Sequence, residues 1–78
     1  MKRYFFDHHD RAVYRDDIGV LFADNEAAIA AAMTSLPGIA SDSMRAADGD
    51  CHNISVVVRE ENGTPIYSAA LSYCGTRL

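Results

Sequence analysis

The sequence predicts an α+β fold in the order ββαββ: a four-stranded antiparallel sheet with one long helix across one face. Three observations carry that reading. Asn62-Gly63 separates two alternating apolar runs, which is the strongest short-range hairpin signal. An alanine-rich stretch begins after Asp24 and keeps helical spacing. An aromatic run, Tyr4-Phe5-Phe6, opens the chain as a strand.

The first strand covers residues 2–8, with Tyr4 and Phe6 on one face and Phe5 on the other. Asp10 and Arg11 turn the chain into a short second strand over residues 12–15. Asp16, Asp17 and Gly19 form a loop, followed by the apolar trio Val20, Leu21 and Phe22. Asp24 is placed to cap the helix, and Glu26 suits the positive end of its dipole. Ile29, Met33, Leu36, Ala40, Met44 and Ala47 recur at intervals of three and four, which makes one apolar stripe. The stripe stays in phase past Pro37-Gly38, so the helix spans residues 25–47 and bends at Leu36-Pro37, or breaks there into two. Asp48, Gly49 and Asp50 lead into the final hairpin.

If Asn62 and Gly63 are the centre of a type I′ turn, the register follows. Val58 then meets Tyr67, Val56 meets Ala69, Ile54 meets Leu71 and His52 meets Tyr73, all on one buried face. Val57, Ser55, Asn53 and Cys51 share the other, wetter face with Ile66, Ser68, Ala70, Ser72 and Cys74. Pro65 falls opposite Glu60, where its missing N–H removes no ladder bond. Cys51 faces Cys74 at a hydrogen-bonded pair, a poorer place for a bridge than the closer non-hydrogen-bonded pair. Two free thiols are therefore expected in a reducing compartment. The strand order 2-1-3-4 keeps every neighbour antiparallel.

In these features the chain resembles an uncharacterised family of small proteins from rhizobia and related alphaproteobacteria. The matching pieces are Tyr4-Phe5-Phe6, Asp16-Asp17-Ile18-Gly19, Leu36 with Ala40-Ser41-Asp42, and Arg59-Glu60-Glu61-Asn62-Gly63. Asp10-Arg11 stands where the family's first turn more usually holds a glycine, and Pro37-Gly38 interrupts the helix. The resemblance implies the same architecture and a bacterial origin, and no activity or cofactor.

Composition excludes several classes. At 78 residues the chain is one domain, and a domain this short buries only about 60% of its unfolded surface. Hydrophobic residues make up 49% and charged residues 23%, so disorder is excluded. No apolar run approaches the roughly 18 residues of a membrane helix. The start MKRYFFDHHD lacks a secretory apolar core, so a cytoplasmic protein is expected. A net charge of −4 without a basic run disfavours nucleic acid.

Candidate chemistry is sparse. Asp7, His8, His9 and Asp10, with His52, have metal-ligating side chains but lack ligand spacing, so no metal site is assigned. Asp16, Asp17, Asp42, Asp48 and Asp50 do not form a calcium loop. Cys51 and His52 point to opposite faces of a strand and make no catalytic pair. No catalytic or cofactor-binding residue is named. The reading is a non-enzymatic protein-interaction module, acting as a homodimer or as the partner of another protein. Phe5, Val57 and Ile66, on the face away from the helix, are its expected surface. The alternatives are an antitoxin-like regulatory partner and a metal- or small-ligand-binding protein.

Overall fold

The computed structural model describes residues 1–46, 51–76 and 78. Strands β1 (Lys2–Asp10), β2 (Ala12–Tyr14) and β3 (Val20–Phe22) precede helix α1 (Asn25–Ala46). Strands β4 (Cys51–Arg59) and β5 (Pro65–Cys74) follow it. The architecture is α+β, with an antiparallel sheet ordered β2-β1-β4-β5. Among the described residues the sheet has five strands rather than four, because the trio Val20-Leu21-Phe22 also pairs with β1, opposite Lys2, Arg3 and Tyr4.

One edge of β1 is thus shared by two short strands, β2 at its end and β3 at its start. Between them the ladder is completed by a side chain. Asp16 Oδ2 accepts from the Phe6 N–H at 3.0 Å, and its Oδ1 accepts from the N–H groups of Ile18 and Gly19. A carboxylate so placed satisfies backbone donors that would otherwise be orphaned. Gly19 has φ +75°, and a Cβ there would lie 2.8 Å from Arg3 Cγ and 2.9 Å from the Tyr4 carbonyl oxygen. Only glycine fits both the conformation and the gap.

The core lies between α1 and the sheet. Tyr4, Ile54, Val56 and Val58 are buried from the sheet, and Ala28, Ala32 and Leu36 from the helix. Each fully buried aliphatic side chain contributes about 1.5–3 kcal/mol. Ile39 and Ala40 extend the buried line, and Ser43 ends it. The apolar stripe is therefore displaced from the expected one. Leu36 and Ala40 belong to it and Ile29 is half-buried, but Met33 and Met44 are 58% and 53% exposed. Alanine at 28 and 32 lets the helix approach closely, and larger methionines have no room on that line. Ala47, Asp48, Gly49 and Asp50 lie outside the described residues.

Asp24 caps the helix as expected, its Oδ1 accepting from the Ala27 N–H at 2.9 Å. Pro37 sits inside an unbroken helix. Both Pro37 and Met33 are exposed, so the gap that the proline leaves in the helix ladder falls on the solvent side of the helix.

The β4–β5 register is as expected from Cys51 through Val58, but the turn is not. Gly63 N–H donates to the Glu60 carbonyl and Glu60 N–H donates to the Thr64 carbonyl, both at 2.9 Å. Gly63 has φ +87°, whereas Asn62 does not have positive φ. This is a three-residue loop with glycine in the left-handed position, not a two-residue type I′ turn. Arg59 then pairs with Pro65, and a bulge at Ile66 restores the register before Val58 meets Tyr67. Pro65 is consequently opposite Arg59, not Glu60.

The same bulge reverses which pairs are hydrogen-bonded. Phe6 N–H points to the β2–β3 side and Arg3 N–H to the β4–β5 hairpin, where it meets Glu61 Oε1. Odd residues of β1 therefore bond to β4, through their partners Arg59, Val57 and Ser55. Even residues of β4 bond to β5. Cys51 and Cys74 are then a non-hydrogen-bonded pair, 4.0 Å apart at Cα, and they form a disulfide. The expectation of free thiols is corrected on this point.

Candidate functional site

Polar side chains on the helix face of the sheet gather where β1, β4 and α1 meet. Asp10 closes β1, His52 opens β4, and both alternate onto the face that carries α1. Ser43 reaches them from the last turns of the helix. Asp10 Oδ1 pairs with His52 Nε2 and also accepts from Ser43 Oγ at 3.1 Å. The other imidazole nitrogen, Nδ1, lies 3.4 Å from Arg11 Nη2. With Arg11 donating to Nδ1, the ring proton sits on Nε2 and is donated to Asp10. His52 is buried and stacks on Tyr73, with ring centroids 5.7 Å apart. The His52 hydrogen bond, aided by Ser43, holds the Asp10 carboxyl below the usual carboxylate value against the opposing effect of desolvation.

Serine, histidine and aspartate are all present, but their order is wrong for nucleophilic catalysis. An activated serine hydroxyl must donate to the imidazole. Here the carboxylate stands between them and receives both. The cluster fastens the helix end to the sheet and leaves no activated nucleophile.

Beside it lies a hollow of about 290 Å³ lined by His8, Asp10, Tyr14, Ile39, Asp42 and Ser43. His8 and Ile39 also line an apolar hollow of about 320 Å³ with Phe6, Phe22 and Val56.

A second polar cluster lies on the other face. Arg59 Nε and Nη2 donate to Asp7 Oδ2 and Oδ1 at 2.5 and 3.0 Å, and Nη2 also reaches the Asp16 carbonyl. Asp7 Oδ1 accepts from the Asp16 N–H at 2.9 Å. The Arg59 hydrogen bonds hold Asp7 low, against desolvation. For Asp16, burial pushes upward, but three backbone N–H bonds outweigh it and the carboxyl is lowered. This fork binds β4 to β1 and to the Asp16 loop.

The residues singled out from the sequence are scattered by this geometry. His8 stacks on Tyr14 with centroids 4.7 Å apart, while His9 is exposed on the opposite face. Asp10 and His52 do meet. Among the described residues, no three histidine, cysteine, aspartate or glutamate side chains converge to hold a metal ion. Asp17 and Asp42 are exposed, Asp16 is engaged by backbone, and Asp48 and Asp50 lie outside the described residues. Cys51 is exposed on the outer face, away from buried His52. Phe5 and Val57 are half-buried on that outer face, and the Arg59 guanidinium lies 4.9 Å from the Phe5 ring centre. Ile66, the bulged residue, packs against the core instead.

Ser43 is legible in the sequence only through phase: it falls on the line of Ala28, Ala32, Leu36 and Ala40, so a polar residue there must meet something across the interface. Among the described residues, no helix is long and apolar enough to cross a membrane.

No curated protein and no solved structure matches the chain. A family model described as a domain of unknown function matches residues 3–72, nearly its whole length, and the chain belongs to that family, DUF6894.

Proposed function

We propose that this protein is a non-enzymatic interaction module that binds another polypeptide strand along the free edge of β5. One observation carries the reading. Pro65 and the bulge at Ile66 guard only the start of β5, and residues 67–74 contain no charge, proline or bulge, although β5 pairs with β4 alone among the described strands. Sheet edges are ordinarily guarded by charges, prolines or short length, and an unguarded long edge is a template for pairing.

The ladder shows which groups are available. Even residues of β4 bond to Tyr67, Ala69, Leu71 and Tyr73, so the N–H and C=O groups of Ser68, Ala70 and Ser72 point outward. All three residues are exposed. Phe5 and Val57 remain on the adjoining outer face, but with Ile66 turned inward they no longer make an apolar surface with it.

Ala70→Pro tests the reading, because it removes an outward N–H and no bond to β4. Tagged wild-type and Ala70→Pro proteins are expressed in the native cell and captured, and co-purifying chains are identified by mass spectrometry. A polypeptide held by the wild type and lost from the variant is expected, an untagged copy of this chain, told from the tagged one by its intact mass, counting as such. An identical set from both sinks the proposal.

A cytoplasmic setting is retained as part of the proposal, and fractionation of the native cell tests it: the tagged protein should be recovered with the cytosolic fraction, and recovery outside it sinks this part of the proposal.

A further inference from the structure

We infer that the strand received by β5 is β5 of a second copy, running antiparallel about a two-fold axis at Ala70. The inference rests on the β5-edge reading and names its occupant. The argument is a palindrome. Residues 67–73 read Tyr-Ser-Ala-Ala-Leu-Ser-Tyr, so Tyr67 mirrors Tyr73, Ser68 mirrors Ser72 and Ala69 mirrors Leu71 around Ala70. A two-fold interface places the same patch on both sides, and residue i meets j as j meets i. Antiparallel pairing at Ala70 therefore joins Ser68 to Ser72 of the other copy, Tyr67 to its Tyr73, and Ala69 to its Leu71.

Hydrogen-bond parity agrees with that register. Ser68, Ala70 and Ser72 carry the outward N–H and C=O groups, and pairing about Ala70 sets them against one another as hydrogen-bonded pairs. The side chains agree as well. Ser68, Ala70 and Ser72 are small enough to meet across the outer face without collision. On the helix face Leu71 is 43% exposed in the single chain, and the register lays it against Ala69 of the second copy. Two chains of net charge −4 repel, but no charged side chain lies in the paired segment to concentrate that repulsion.

The test has two parts. Light scattering and sedimentation of the disulfide-closed protein, from low to high micromolar, should show a reversible dimer. Ala70→Pro and Ala70→Lys, each with an unchanged circular dichroism spectrum, should both be monomers; the lysine variant keeps the backbone N–H. Cysteine crosslinking then reads the register. In Ala70→Cys the two new cysteines face each other with Cα atoms about 5.5 Å apart, inside disulfide range. In Ser68→Cys they are four residues out of step, roughly 13 Å apart. Mild oxidation should crosslink the first at least about tenfold faster than the second. A wild type that stays monomeric overturns the inference, as does equal crosslinking of the two variants. If the protein is monomeric yet native-cell capture still depends on Ala70, the edge has a different occupant and the interaction reading survives. If capture is also indifferent to Ala70, both fail.

Discussion

Asp10 Oδ1 is the meeting point of the His52 imidazole and the Ser43 hydroxyl, so one carboxylate oxygen joins both β4 and α1 to the end of β1. The shared acceptor makes this polar link between helix and sheet depend on the ionisation of a single group.

That dependence has a sign. Asp10 is lowered first by its His52 hydrogen bond, Asp7 first by Arg59, and Asp16 is lowered by backbone donors that overcome the larger single effect of burial. A carboxyl with a depressed folded-state pKa gives stability that is complete above its unfolded value, about 4, and is lost as pH falls through the folded value. Thermal melts should therefore show a plateau from neutral pH down to about pH 4 and a steep fall below it. Asp10→Asn should lower the plateau and soften the acid limb. A variant with an acid limb as steep as the wild type's would show that Asp10 does not contribute to it.

The disulfide closes β4 and β5 at the ends remote from the turn. On the chain-entropy account, a cross-link enclosing this hairpin stabilises by about 3 kcal/mol. Reduction, or the double change Cys51→Ser and Cys74→Ser, should lower the melting temperature by about 10 °C or more. The midpoint should move with little change in the helix signal, because α1 makes no use of either sulfur. An unchanged midpoint would show that the pair carries no stability.

The hairpin illustrates what was legible in the sequence and what was not. Alternation of apolar and polar residues from Ile54 to Val58 and from Tyr67 to Leu71 reports the register, because a slip would expose the core. It does not report hydrogen-bond parity. The loop is one residue longer than the two-residue turn that Asn62-Gly63 suggests, and the bulge at Ile66 absorbs the extra residue. The two departures cancel in register but not in parity, which moved Cys51 and Cys74 into the pair that accepts a bridge. Helix phase was similarly half-legible. Leu36 and Ala40 are on the packed line, but alanines carry little hydrophobic signal, so Met33 and Met44 dominate the pattern in the sequence although they lie off that line. β3 is not legible, because three residues are too short to show alternation.

Arg59 and Asp7 supply a double-mutant test. Both side chains are largely buried and bonded through two N–H groups. Removing one partner of such a pair typically costs about 3 kcal/mol, because the other charge is left in poor solvent. Asp7→Ala should cost that much in denaturant unfolding. Arg59→Met in the same chain should recover part of it, since no unpaired charge then remains. Additive losses would show that the two residues act independently.

Gly19 and Gly63 separate conformational strain from steric exclusion. Both have positive φ, so alanine at either site must enter the left-handed region at a cost of about 1–2 kcal/mol. At Gly63 nothing lies within 4 Å of the added Cβ, so strain is the whole effect. Asparagine, which tolerates that region, should recover much of the loss there. At Gly19 the Cβ would sit 2.9 Å from the Tyr4 carbonyl oxygen, a backbone atom that cannot swing aside. The displaced backbone also carries the N–H that Asp16 Oδ1 accepts, so the Asp16 loop must move with it. Gly19→Ala should therefore lose clearly more stability than Gly63→Ala, and Gly19→Asn should not rescue it. Equal losses at the two sites, read from urea midpoints, would show that the packing of Gly19 against β1 is looser than the structure describes.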